Sequence, residues 1–224
     1  MIDYPENMVV IAPHPDDETL GTGGTIAKFV ANGTRVSVLV VSGHLPPLYS
    51  EKDFEKTHQE AINAFEILGV DNYEFLKIPA TTVHKLPVAT INNKIGHFIN
   101  TQKPEIVLIP FPDRHIDHRT IFESAVVSCR PVSFEAPKTI LAYETLSETH
   151  WNVPGVEPNF IPELFVNIDN TIECKLKALK KYKSQIKNNN SRSVNACKAL
   201  AHFRGSQNGC NYAEAFKLIR QINS

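Results

Sequence analysis

Two short stretches of this chain concentrate ionisable side chains. The first reads Pro13-His14-Pro15-Asp16-Asp17-Glu18, with four ionisable residues in five positions. The second reads Asp113-Arg114-His115-Ile116-Asp117-His118. Histidine beside carboxylate is metal-ligand chemistry. Two imidazoles and one carboxylate hold a divalent ion and leave coordination positions open to water, the catalytic rather than the structural zinc pattern. The carboxylates and the histidine left over then serve proton transfer and the orientation of ligands. Taken singly, each stretch has a plainer reading: a solvated or core histidine, and an Asp-Asp pair capping a helix.

Position favours the chemical reading. Residues 8–12 form a short apolar run ending at Pro13, and residues 105–109 form another leading into Phe111-Pro112. Both have the look of buried parallel strands. Parallel strands share one carboxyl-end rim, where open α/β sheets bind ligands, so the two clusters can converge. Further strands are expected at 35–41, 73–78 and 139–143, with an edge strand at 164–168. Helices are expected at 25–31 after Gly21-Thr22-Gly23-Gly24, at 54–68 closed by Gly69, and at 91–99 and 120–129. A stripe of Ile172, Leu176, Leu179, Tyr182 and Ile186 predicts one more helix, followed by two shorter ones at 193–202 and 212–222. Asn188-Asn189-Asn190 reads as a loop. The expected architecture is α/β: a Rossmann-like, mostly parallel sheet of five or six main strands with helices on both faces, in a single domain over residues 1–224.

Composition narrows the function. The chain has 224 residues and a net charge of −1, which argues against a generic nucleic-acid binder or a polybasic membrane protein. No apolar run reaches the length of a membrane span, and residues 1–7 lack the basic start of a signal peptide. Cys129, Cys174, Cys197 and Cys210 form no Cys-x-x-Cys pair, so the expectation is a reduced, cytoplasmic protein.

The run Ala12-Pro13-His14-Pro15-Asp16-Asp17-Glu18 with Gly21 and Gly23-Gly24 closely resembles the first motif of the PIG-L/LmbE-like family of zinc-dependent N-acetylsugar deacetylases. His115-Ile116-Asp117-His118 is similar to its second motif. Tyr143-Glu144-Thr145, residues 147–151, Arg204-Gly205-Ser206-Gln207 and Tyr212-Ala213-Glu214-Ala215-Phe216 also resemble bacterial members, so the likeness spans nearly the whole chain. It implies zinc held by His14, Asp17 and His118, with iron(II) able to replace it in the cell. Asp16 would be the general base. His115 would be the electrophile or acid that steadies the oxyanion, with Asp117 orienting it or tuning its charge; a histidine so held by a carboxylate would have a raised pKa. Asp16 and His115 both remain candidates for protonating the leaving amine. The implied substrate is a small N-acetylglucosamine-type sugar or glycoconjugate. The membrane anchor of some relatives is lacking, and the family suggests a homo-oligomer of unspecified size. One departure stands out: many members carry an arginine where this chain has Thr57.

Other residues carry weaker signals. Arg114 is a candidate for a substrate phosphate or hydroxyl, against a plain surface arginine. His44, after the second strand, is a candidate substrate contact on the same rim. Glu18 reads as a loop or cap residue, Arg204 as structural, and Trp151 as packing or a sugar-stacking surface. Gly21-Thr22-Gly23-Gly24 is not a dinucleotide fingerprint, since the second strand ends without an acid. Lys175, Lys177, Lys180, Lys181, Lys183 and Lys187 read as a solvated helix face. The rival functions are a metal-dependent hydrolase of another amide or ester, an iron(II) oxygenase, and a non-catalytic module that binds a sugar or nucleotide.

Overall fold

The structure is a computed structural model that describes residues 4–186 and 191–223; Lys187 and the Asn188-Asn189-Asn190 run lie outside these. Along the described chain the elements are β1 (Asn7–Ala12), α1 (Asp17–Ala31), β2 (Arg35–Gly43), α2 (Glu51–Leu68), β3 (Asn72–Pro79), α3 (Val88–Gln102), β4 (Ile106–Pro110), α4 (Ile116–Ser128), β5 (Thr139–Tyr143), β6 (Leu164–Asn167), α5 (Ile172–Leu179), α6 (Val194–Ser206) and β7 (Ala213–Gln221). The strands form one sheet in the order β3-β2-β1-β4-β5-β7-β6. The first five are mutually parallel, and β7 is antiparallel to both β5 and β6. The expected α/β class with a mostly parallel sheet is the one observed.

Side-chain alternation along the strands explains the two cores. In β1, Met8, Val10 and Ala12 join Val38, Leu108, Ile26 and Phe65 on one face. Val9 and Ile11 join Leu39, Val107, Ile95 and Ile121 on the other. A strand that buries both faces must be apolar throughout, which is how residues 8–12 read in the sequence. Helix α2 begins at a capping box between Ser50 and Asp53 and ends at Gly69, whose φ of 77° suits the left-handed cap. No described helix is long and apolar enough to cross a membrane.

Four expectations need correction. Residues 212–222 form β7 rather than a helix. Their helix-prone composition yields to a tertiary demand: β5 and β6 both need a backbone partner between them, and buried Ala213, Ala215 and Phe216 fill that slot. The stripe over 172–186 is not one helix. α5 stops at Leu179, and the chain turns so that Tyr182 is fully buried. Helices α1 and α4 start earlier than their apolar periodicity suggests, so both chemical motifs run into a first helical turn. Lys175 is buried rather than solvated: its Nζ donates to Glu214 Oε1 at 2.5 Å and to the Leu20 carbonyl at 2.8 Å. The Glu214 carboxylate also accepts the backbone N–H groups of Gly24 at 2.9 Å and Thr25 at 2.7 Å, in the middle of α1.

The glycines of α1 let it press onto the sheet. A Cβ at Gly21 would stand 2.3 Å from the Tyr143 ring and 2.9 Å from the Glu144 carbonyl oxygen. The ring has little freedom to yield, because Tyr143 Oη donates to the Ile11 carbonyl at 2.8 Å. Gly21→Ala is therefore expected to destabilise the protein by about 1–3 kcal/mol through overpacking. Urea denaturation should show a lower midpoint at unchanged slope. A midpoint equal to that of the parent would show that the helix can shift without cost.

Candidate active site

β1 and β4 are parallel neighbours, so Ala12 and Pro110 end side by side. The turns that follow bring the two motifs together. The His14 ring lies 4.6 Å from that of His115 and 5.5 Å from that of His118, centre to centre. Asp17, in the first turn of α1, is fully buried between them. Its Oδ2 stands 3.0 Å from His14 Nδ1 and 3.2 Å from His118 Nε2.

The far side of each imidazole is also held by a carboxylate. His14 Nε2 meets Asp117 Oδ2 at 3.1 Å, and His118 Nδ1 meets Asp113 Oδ2 at 2.9 Å. Each ring thus presents its other nitrogen to Asp17, the arrangement by which carboxylates orient metal-binding histidines. The Asp117 carboxylate holds His14 rather than the expected His115. Besides His14, its Oδ2 accepts from the Thr81 backbone N–H at 2.6 Å and lies 3.4 Å from the Ser42 hydroxyl. His115 caps α4, its Nδ1 accepting the Asp117 backbone N–H at 3.2 Å.

These contacts set the electrostatics. Burial works against a charged His14, but Asp117 and Asp17 outweigh it and lift the pKa to about 9. Burial likewise opposes charge on His118, and Asp17 with Asp113 lifts it to about 10. Asp17 is buried too, yet the same two histidines hold its carboxyl well below the usual range. Asp16 goes the other way: burial, helped by Asp17 and Glu18 and opposed by Arg192, raises it to about 8. His115 falls to about 4 through burial and the charge of its histidine neighbours. The expected raised pKa of His115 is thus reversed, because no carboxylate is bonded to its ring.

Asp16 occupies a strained backbone conformation at φ 121° and ψ −28°. Such a geometry in an L residue costs on the order of 1–3 kcal/mol and clusters at functional sites. Its N–H donates to Glu18 Oε2 at 3.2 Å. Glu18 is therefore a loop-holding residue, as its position suggested.

The remaining candidates are placed as follows. His44 directly follows β2 and is half-buried; its ring meets Tyr49 edge-on at 4.3 Å, and its buried Nδ1 has no hydrogen-bond partner. Burial and the charge of His14 depress its pKa. Arg114 is exposed. Its backbone N–H binds Asn152 Oδ1 at 2.8 Å, and its guanidinium reaches the Trp151 carbonyl at 3.1 Å. Arg204 is structural, donating twice to Glu144 at 2.8 and 2.7 Å. The Thr57 hydroxyl turns back onto the Asp53 and Phe54 carbonyls. A cavity of about 730 Å³ runs along edge strand β6 past Tyr4, Lys28 and Cys210 and is lined by none of the candidate ligand or catalytic residues.

Two residues at the site escaped the sequence reading. Asp113 stood inside the second motif without a role; its position at the strand exit, two residues before His115, was the available signal. Arg192, whose Nη1 lies 3.5 Å from Asp16 Oδ2, gave none: it sits in an aperiodic stretch 176 residues away.

The donor set suits a cation. The ligand atoms of His14, His115 and His118 all lie within 4.8 Å of one another. His118 Nε2 and Asp17 Oδ1 are buried without a hydrogen-bond partner.

Comparison with known proteins follows the same residues. The family described as PIG-L, GlcNAc-PI de-N-acetylase, matches residues 9–129, more than half of the chain. The diacetylchitobiose deacetylase of Thermococcus kodakarensis is 27% identical over a 245-residue alignment, covering 97% of this chain and 84% of its own. Among solved structures, the conserved protein TT1542 from Thermus thermophilus superposes with a TM-score of 0.76 at 27% identity, covering 97% of this chain and 96% of that one. GalB, the 4-carboxy-2-hydroxymuconate hydratase of Pseudomonas putida, superposes at 0.78 with 18% identity over 98% of each chain, a likeness that speaks to the fold alone. The matched family stretch contains both histidine-carboxylate turns and the strands that carry them, and on that match the chain belongs to the PIG-L/LmbE-like family of N-acetylsugar deacetylases.

Proposed function

We propose that this protein hydrolyses the acetamide of a small N-acetylglucosamine-type sugar or glycoconjugate, with His14, Asp17 and His118 holding a divalent cation, zinc by preference. The observation that carries the reading is Asp17 set between two imidazoles, each backed by its own carboxylate. Neighbouring ligands in a tetrahedral zinc site with bonds of about 2.0–2.1 Å stand about 3.3 Å apart. The 3.0 and 3.2 Å spacings from Asp17 to the two histidine nitrogens are close to that edge. Bound zinc would supply Lewis-acid activation of water and of the acetamide oxygen.

The chain's own residues do the rest. Asp16 takes the proton of the attacking water, and its burial gives the carboxylate the proton affinity a base needs. His115, with Nδ1 committed to the Asp117 N–H, offers Nε2–H to the developing oxyanion as a neutral donor. Lacking a carboxylate partner to support an imidazolium, it leaves Asp16 to return the proton to the departing amine. His44 and Arg114 lie at strand exits beside the site and are proposed as substrate contacts on its rim. The seven strands share one sheet, which supports a single domain over residues 1–224. Unpaired Cys129, Cys174, Cys197 and Cys210 fit a reducing cytoplasm.

The test is amine release by the zinc-equilibrated protein from N-acetylglucosamine, N,N′-diacetylchitobiose and glycosides of N-acetylglucosamine. N-acetyl amino acids and simple esters complete the panel. Release from at least one sugar, with little from the others, is expected. Turnover confined to non-sugar amides or esters would replace the substrate class and keep the site.

A further inference from the structure

Asp16 is an L residue in backbone territory that glycine favours, at φ 121°. Such a conformation persists only when surrounding structure holds it, and two holders are visible. The first acts on the backbone. Glu18 Oε2 accepts the Asp16 N–H at 3.2 Å, while Glu18 Oε1 accepts hydroxyls from Thr19 at 2.6 Å and Tyr182 at 2.5 Å. Tyr182 is fully buried just beyond α5. Its hydroxyl serves Glu18, and through Glu18 the Asp16 peptide.

The second holder acts on the side chain. Arg192 donates from Nε to Ser147 Oγ at 2.8 Å and from Nη2 to Glu148 Oε1 at 3.1 Å, leaving Nη1 3.5 Å from Asp16 Oδ2. A guanidinium is a rigid planar fork, so two fixed contacts aim the third. Ser147 and Glu148 belong to the turn whose Thr149 hydroxyl donates to Asp113 Oδ2 at 3.0 Å, the same oxygen that holds His118. Arg192 therefore spans the two halves of the site, from the Asp16 carboxylate to the turn that braces His118.

We propose that Tyr182 and Arg192 are positioning residues for the Asp16 carboxylate, Tyr182 through Glu18 and the backbone, Arg192 through the side chain. The proposal rests on Asp16 being the base of the reaction above. Misplacing a reacting group by about 1 Å costs up to about 100-fold in rate. Arg192→Ala should thus lower kcat by about 10–100-fold with KM within about threefold, the signature of an interaction used in the transition state. Tyr182→Phe should lower kcat by a smaller factor.

The deciding experiment is a double-mutant cycle on N-acetylglucosamine or N,N′-diacetylchitobiose, whichever the parent turns over faster. It uses zinc-equilibrated parent, Arg192→Ala, Asp16→Asn and the double variant. If Arg192 acts through Asp16, the double variant is no slower than Asp16→Asn alone, and millimolar free guanidinium restores part of the loss in Arg192→Ala only. Losses that multiply in the double variant, or unchanged kcat in both Arg192→Ala and Tyr182→Phe, would overturn the proposal. Should Arg192→Ala fold poorly, Arg192→Lys takes its place in the cycle.

Failure of the functional reading would look different: Asp16→Asn would turn over like the parent, or the parent would release no amine from any sugar. In either case crystal structures of Tyr182→Phe and Arg192→Ala still decide the positioning claim. Asp16 leaving its left-handed conformation, or its carboxylate rotating, supports it. Unchanged Asp16 geometry in both refutes it.

Discussion

His118→Ala leaves the protein folded and unable to retain zinc at limiting concentration. The imidazole lies at the bottom of the site with no exposed surface, Nδ1 on Asp113 and Nε2 beside Asp17. Removing a carboxylate that merely orients a ligand costs about 10–100-fold in metal affinity. Asp113→Ala should fall in that range, and deleting the ligand itself should exceed it. Elemental analysis after equilibration with limiting zinc, with a competing chelator to extract affinities, gives the ranking. The expected order is parent, then Asp113→Ala, then His118→Ala. A His118→Ala protein that binds zinc as tightly as the parent would refute ligation by His118. The measurement needs no knowledge of the substrate.

Asp16→Asn is expected to keep the metal and the fold while cutting turnover by about 10²–10⁴, the usual contribution of a positioned general base. Asparagine retains shape but cannot accept a proton. The Asp16 carboxylate reaches toward Arg192, whereas His14 and His118 are held by Asp17, Asp113 and Asp117, so its loss should leave the ligand cluster intact. Zinc content equal to the parent and a melting temperature within a few degrees would separate this from a structural failure. Parent-like kcat would remove Asp16 from the chemistry. A variant that loses zinc together with activity would instead place Asp16 among the ligands.

Much of this was legible in the sequence because the relevant forces are local. The apolar runs at 8–12 and 105–109 read as strands buried on both faces, and the charged turns after them pointed to the rim of the sheet. The two clusters meet there as their strand positions implied, while the choice of His14, Asp17 and His118 within them came from the family resemblance. What escaped was set by long-range contacts. Residues 213–221 have the composition of a helix and became a strand because β6 pairs with nothing else in the sheet and β5, paired with β4 on one edge, has its other edge left open. Lys175 looked like one of a row of solvated lysines until Glu214 turned out to face it. Asp117 was expected to serve His115 of its own motif, yet α4 begins at Ile116 and swings the carboxylate across to His14. Arg192 offered no pattern at all, since an arginine's partners cannot be read from a stretch without periodicity.

The position of β7 has a consequence for how the molecule is made. Glu214 grips the Gly24 and Thr25 backbone from 190 and 189 residues further along the chain, and β6 has no other partner in the sheet. A nascent chain emerging from the ribosome can assemble β1 to β5 early. The helix that carries Asp17 stays without its clamp until residues 213–221 have been synthesised and threaded between β5 and β6. Contacts of such sequence separation close slowly and leave apolar edges exposed meanwhile. If the site holds zinc as proposed, the Asp17 ligand would reach its final support only with that closure.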